Sequence, residues 1–259
     1  MARAKLAFDR VSKAYDARGK AARGAAVSNV SLSVSAGRFV CLLGPSGCGK
    51  STLLNMAAGF IKPSSGRILV DGVPIAGPGE DRGVVFQEYA LFPWRTALAN
   101  VEFGPLMRRK APAQRRALAR HYLELVGLQA HEAKYPTELS GGMKQRVAIA
   151  RALANGPSVL LMDEPFGALD AQTREVLQEE LLRIWEQERK TVVFVTHSIS
   201  EAIFLADRIV VMATLPGSIK EVIDVPLHHP RDRSGPEFVA MERSIKQLVR
   251  EEVQKLGVM

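Results

Sequence analysis

The sequence predicts an α/β fold with a largely parallel sheet. Three observations carry this expectation. Several short strands are apolar on both faces, helical segments follow them, and a glycine-rich loop joins one such strand directly to a helix. Residues 39–43 (FVCLL) read as the first buried strand. The glycine-rich segment 44–49 follows, then a helix over residues 50–60. A turn is expected at 63–66, and strands at 67–70 and 83–86. The spacing of apolar residues predicts a helix over 111–127, ending near Gly127. Another opens after Leu139, with Ser140 as its N-cap, and runs to about Ala154. Residues 158–162 (SVLLM) and 191–196 (TVVFVT) are two-sided apolar strands separated by a long helix over 171–189. A helix over 198–206, a strand over 208–212 and an amphipathic segment over 234–256 complete the reading. Up to about residue 86 strands outnumber helices. Residues 88–155 are mostly helical and read as an inserted subdomain.

Composition narrows the function. The 259 residues are 47% hydrophobic and 24% charged, which excludes disordered and collagen-like chains. Cys41 and Cys48 are the only cysteines, which excludes a disulfide scaffold and points to a reducing compartment. The longest uncharged stretch, residues 24–37, has 14 residues, short of the roughly 18 a membrane helix needs. Residues 1–10 alternate charged and apolar side chains and lack the apolar core of a signal peptide. A cytosolic chain is the expectation. The net charge of +8 admits nucleic acid, an anionic membrane surface or small anions as partners. The densest basic run, Arg108 to Arg120, contains no aromatic residue, so no base-stacking platform accompanies it. A solvated helix face and contact with lipid head groups remain open for that run; nucleic acid is not expected.

Gly44-Pro45-Ser46-Gly47-Cys48-Gly49-Lys50-Ser51 fits the phosphate-loop pattern G-x-x-x-x-G-K-[ST], and a strand precedes it and a helix follows. Such a loop turns backbone N–H groups toward a phosphate chain, and the helix N-terminus adds its dipole. Lys50 is expected to reach the β- and γ-phosphates and Ser51 to ligate Mg²⁺; Thr52 completes the binding segment. A second motif, Val159-Leu160-Leu161-Met162-Asp163, is an apolar strand ending in a carboxylate, with Glu164 next. Asp163 is expected to hold Mg²⁺. Successive residues at a strand end point different ways, so Glu164 can face the γ-phosphate as general base.

With these motifs the chain resembles the nucleotide-binding subunit of ABC transporters. Leu139-Ser140-Gly141-Gly142-Met143-Lys144-Gln145-Arg146 is similar to the family's signature, with Met143 in place of the usual glutamine. Gln87 matches the Q-loop glutamine, Ala168-Leu169-Asp170 the D-loop, and His197 the switch histidine. Tyr15 matches the aromatic residue that stacks on adenine, the lesser alternative being a core side chain. The resemblance implies a P-loop NTPase with a RecA-like core, an antiparallel β subdomain and the inserted helical subdomain. It covers residues 1–230 as an ABC ATP-binding domain, with 231–259 as a helical tail. It also implies that Gln87 helps to hold the metal and that Glu164, His197, Gln87 and Lys50 serve catalysis. Ser140, Gly141, Gly142 and Asp170 would then complete the ATP pocket of a second copy of the chain, two ATPs being sandwiched head to tail.

Residues 78–87 (PGEDRGVVFQ), 92–96 (FPWRT) and 162–174 (MDEPFGALDAQTR) resemble the nitrate/sulfonate/taurine importers, a group that also includes carriers of bicarbonate and of pyrimidine precursors. This implies permease subunits, indirectly a solute-binding protein, and a peripheral location on the cytoplasmic face of the cell membrane. Two other classes fit less well: a soluble ABC ATPase of DNA repair or translation, which usually carries a long coiled-coil insertion or two cassettes, and a non-catalytic regulatory module, against which Lys50, Asp163, Glu164 and His197 argue. Residues 89–94 carry four large apolar side chains beside Pro93, which read either as local packing or as a groove for a permease helix.

Overall fold

The structure, a computed structural model, describes residues 4–15 and 25–255. The chain divides into two compact units, residues 1–79 with 191–259, and residues 80–190.

The first unit contains two groups of strands. In the antiparallel group, β1 (Ala4–Ala14) lies between β2 (Ala25–Ser35) and β4 (Ser65–Val70), and β5 (Val73–Pro74) extends β4. β2 alternates strictly enough to bury Val27, Val30, Leu32 and Val34 while its serines face outward. In the other group β3 (Phe39–Leu43) runs parallel to β8 (Thr191–Thr196) on one side and to β9 (Arg208–Ala213) on the other. β10 (Ser218–Asp224) pairs antiparallel with β9. Every residue of β3 and β8 is buried, as expected of strands covered on both faces. Helices α1 (Lys50–Ala58), α6 (Ile199–Leu205) and α7 (Pro236–Lys255) belong to the same unit.

The second unit has the parallel pair β6 (Arg82–Val85) and β7 (Val159–Asp163) with four helices. These are α2 (Ala97–Met107), α3 (Pro112–Leu125), α4 (Gly141–Ala154) and α5 (Ala171–Glu188). α2 packs on both α3 and α4. Gly104 makes the α2–α4 contact possible, since a Cβ there would stand 1.7 Å from Asn155 Oδ1.

The basic run is a surface ion-pair face. Arg108 meets Glu80 at 2.8 Å, Arg116 meets Glu102 at 3.7 Å, and Arg120 meets Glu132 at 2.8 Å. Such exposed pairs each contribute about 1 kcal/mol or less. Among the described residues no helix is long and apolar enough to cross a membrane.

The amphipathic C-terminal segment forms α7, which packs on α6 and β9; Leu256, its expected end, lies outside the described residues. Its buried stripe is Phe238, Ile245 and Glu252, one residue every two turns. The carboxylate of the fully buried Glu252 accepts from Lys255 Nζ at 2.6 Å and from Thr214 N at 3.0 Å, and lies 3.1 Å from Lys220 Nζ. Burial alone would raise its pKa, but these donors outweigh burial and hold it at about 2, against an ordinary 4.5. A carboxyl whose pKa is lowered on folding stabilises the fold above its unfolded pKa and loses that contribution as pH falls toward the folded value. Wild type is therefore expected to exceed Glu252→Gln in unfolding free energy near neutrality. The gap should shrink between pH 4.5 and about 2. Denaturant titrations of both proteins across that window check it, and a constant gap would refute the charge argument.

Candidate functional site

In open α/β sheets, ligands settle at the carboxyl ends of the strands. In the first unit Leu43 is in register with Thr196 and with Val211. Gly44 and His197 are therefore the first residues beyond two neighbouring parallel strands. In the second unit Val85 is in register with Met162, so Gln87 follows one strand end closely while Asp163 closes the other.

The phosphate loop spans Gly44 to Gly49, and α1 starts at Lys50 as expected. Gly49 is the N-cap with φ +90°, a backbone angle that favours glycine. Lys50 is 5% exposed, and its Nζ donates to the carbonyls of Gly44 at 2.7 Å and Pro45 at 2.9 Å. The ammonium is thus held within the loop. Cys48 is buried with its Sγ 3.7 Å from that ammonium; burial pushes its thiol pKa up and Lys50 works against this. Ser46, Gly47 and Ser51 are exposed, and Thr52 is half-buried in the first turn of α1.

His197 is exposed and leaves β8 at a braced turn. Thr196 Oγ1 donates to Glu201 Oε2 at 2.5 Å and accepts from Ser198 N at 3.0 Å, and Ser198 Oγ caps α6 by accepting from Glu201 N. Tyr15, just past β1, is 49% exposed, with Lys13 Nζ 5.3 Å from its ring centroid. It is not a core residue, and part of its ring stays open to stacking.

In the second unit Asp163 and Glu164 are half-buried, and Glu164 has φ +42°, rare for a side-chain-bearing residue. The turn after it comes close to Gln87: a Cβ on Gly167 would lie 3.4 Å from both Gln87 Nε2 and Glu164 O. Ser140 caps α4, its Oγ accepting from Met143 N at 3.3 Å. Met143 contributes a backbone N–H there, so the bond does not depend on which side chain occupies the position. A Cβ on Gly141 would meet Tyr89 Oη at 3.1 Å, and one on Gly142 would meet Thr173 at 2.8 Å. Asp170 caps α5 by accepting from Thr173 N at 3.0 Å, and that bond lowers its carboxyl pKa. The second unit thus brings together Gln87, Glu164, the capped glycine pair and the start of α5.

Two residues that the motifs do not single out organise this region. Arg151 of α4 donates to the carbonyls of Tyr89 and Ala90, at 3.0 and 2.6 Å. Both of these residues adopt left-handed backbone angles. Asn100 is fully buried: its Oδ1 accepts from Phe92 N, and its Nδ2 donates to the carbonyls of Phe92, Arg95 and Thr96. Neither has a sequence signal, because their partners are backbone groups, which the motif spacings do not register.

A phosphate loop and a strand-end carboxylate pair, each at the carboxyl edge of parallel strands, define a P-loop nucleotide-binding protein. Residues 27–167 match the family model described as ABC transporter. The chain belongs to that family, as an ATP-binding subunit and an ATPase coupled to transport. Among its relatives is a nitrate import ATP-binding protein of Synechococcus elongatus. It is 54% identical, over 80% of this chain and 77% of the relative. A bicarbonate transport ATP-binding protein of Synechocystis is 52% identical, over 88% and 81% respectively. The fold is similar to a dimeric ATP-binding cassette solved in a post-hydrolysis state with ADP and Pi. That match has TM-score 0.73 and 35% identity, and covers 86% of this chain and 100% of the other.

Proposed function

We propose that the chain drives import of a small anion through a separate permease. The observation that carries this reading is its similarity to nitrate and bicarbonate ATP-binding proteins at 54% and 52% identity. Both named solutes are compact monoanions, so the solute class is an inorganic or similarly small oxyanion. Taurine and aliphatic sulfonates extend that class on the anionic-headgroup side.

In this reading ATP lies on the 44–52 loop, with Lys50 on the β- and γ-phosphates and Tyr15 against the adenine. Ser51, Asp163 and Gln87 offer hard oxygen donors that suit Mg²⁺, which takes few protein ligands beside phosphate oxygens and water. Bound there, the ion would screen the phosphate charge. Glu164 takes the proton of the attacking water, and His197 and Gln87 orient the γ-phosphate and that water. Ser140, Gly141 and Gly142 present the α4 N-terminus to the γ-phosphate held by the second copy. The dimeric ADP- and Pi-bound neighbour supports this arrangement. A solute-binding protein acts through the permease, and the chain sits peripherally on the cytoplasmic face of the membrane.

The permease contact is assigned to residues 89–95. Trp94 is 71% exposed, its ring centroid 5.7 Å from that of Phe92, which itself packs tilted against the Phe103 ring at 4.6 Å. An exposed indole on a fixed aromatic base is a good anchor for a partner. Trp94→Ala is expected to leave melting temperature and basal ATPase nearly unchanged and to reduce permease pull-down at least about tenfold. Proteoliposomes holding the permease should take up labelled nitrate or bicarbonate only with ATP and wild-type chain. A large fall in melting temperature with normal pull-down would assign Trp94 to packing. Uptake without ATP hydrolysis would overturn the transport reading.

A further inference from the structure

The turn between β9 and β10 touches the phosphate loop on one side and α7 on the other. On the loop side, Gly217 O accepts from Ser28 N at 2.8 Å. Gly217 lies so close that a Cβ there would stand 2.3 Å from Cys48 O and 2.6 Å from Ala26 O. A Cβ on Gly44 would lie 3.2 Å from both Met212 Cβ and Met212 O, and one on Gly49 would lie 2.8 Å from Ala26 O. The loop is therefore backed at both ends, Gly44 by the end of β9 and Cys48–Gly49 by this turn and the start of β2.

On the helix side, Glu252 accepts from the N–H of Thr214, the first residue of the turn and three before Gly217, at 3.0 Å. Thr214 Oγ1 donates to the Glu252 main-chain carbonyl at 3.3 Å. Beyond the turn, Lys220 of β10 donates to Leu248 O at 3.0 Å and to Glu251 at 2.6 Å. The turn is thus fastened to α7 before and after the residue that presses on the loop. A carboxylate on a backbone N–H is one of the stronger hydrogen bonds, and removing it leaves a buried donor unpaired. Movement of the turn relieves that loss.

We propose that Glu252 is a positioning residue for the phosphate loop, so that the C-terminal helix sets how tightly the loop holds ATP. This rests on the reading of residues 44–52 as the ATP site. The test uses the full chain with Glu252→Ala, Glu252→Gln, Lys255→Ala and Gly217→Ala. KM for ATP, kcat, ATP affinity by displacement of a fluorescent analogue, and melting temperature are measured for each. Glu252→Ala is expected to raise KM and Kd about tenfold with kcat changed much less. Glu252→Gln keeps an acceptor for Thr214 N and should recover most of the affinity. Lys255→Ala loses a cation on the same carboxylate but touches nothing in the turn, and should bind ATP like wild type. Gly217→Ala drives a methyl group into the Cys48 carbonyl and should weaken ATP as Glu252→Ala does. A lower melting temperature in Glu252→Ala with normal ATP affinity overturns the proposal. If that variant does not fold, normal affinity in Gly217→Ala overturns it. Failure of wild type itself to bind ATP would instead overturn the nucleotide-site assignment.

Discussion

Glu164→Gln is expected to bind ATP with near-normal affinity and to hydrolyse it about 10²–10⁴-fold more slowly, the range for a lost general base. That corresponds to about 3–5.5 kcal/mol of barrier. Glutamine matches glutamate in size, so the left-handed backbone at this position, with φ +42°, carries the same strain in both proteins. The change therefore isolates the proton acceptor. ATP stays bound, and the ATP-closed dimer should accumulate and run as a larger species in size-exclusion chromatography. Turnover near the wild-type rate would remove Glu164 from the role of base.

Ser140→Arg should abolish hydrolysis by a different route. Ser140 is exposed at the start of α4, where its Oγ accepts from Met143 N at 3.3 Å. Losing such a cap costs about 1 kcal/mol, too little to unfold the chain. The bulk of arginine at the helix N-terminus is then the dominant effect. Turnover is expected to fall at least about 10²-fold, while ATP affinity stays close to wild type because the 44–52 loop is untouched. Ser140→Ala loses the cap without adding bulk and should be far milder. If Ser140→Arg loses ATP affinity and turnover together as a strict monomer, the site is not shared between two copies.

The central strands and the phosphate loop were legible because their signals are local. Residues 191–196 are apolar on both faces, and the glycine loop carries its own strand and helix on either side. Some strand ends shifted by a residue or two: β7 runs to Asp163, and β4 begins at Ser65, inside the expected turn. β1, β2, β5, β10 and α2 were missed, and for β2, α2 and β10 the physical reason is plain. In β2 serines alternate with valines, so a two-residue period hides inside a stretch that looks merely uncharged. In α2 the Gly104-Pro105 pair argues against a helix, and Asn100 occupies one of its buried positions. β10 is a half-exposed edge rich in charge. The motif residues of the candidate site could be named from spacing alone. Arg151 and Asn100 could not, since Arg151 lies 61 residues from Ala90 and its hydrogen bonds go to main-chain oxygens. Glu252 was hidden for the opposite reason, as an acidic residue on the buried stripe of an otherwise ordinary amphipathic helix.

The four hydrogen bonds of Asn100 have a consequence for how firmly a partner can be held. They tie down the main chain of Phe92, Arg95 and Thr96 from inside the fold, before anything else arrives. A surface loop that must order itself on contact spends roughly 0.5–1.5 kcal/mol for each side chain it immobilises. Here the main chain at Phe92, Arg95 and Thr96 is already held in the free chain. An incoming segment meets Trp94 on a settled base and loses mainly its own freedom. In the proposed permease contact more of the binding energy then survives as affinity, so a small area can hold the partner firmly.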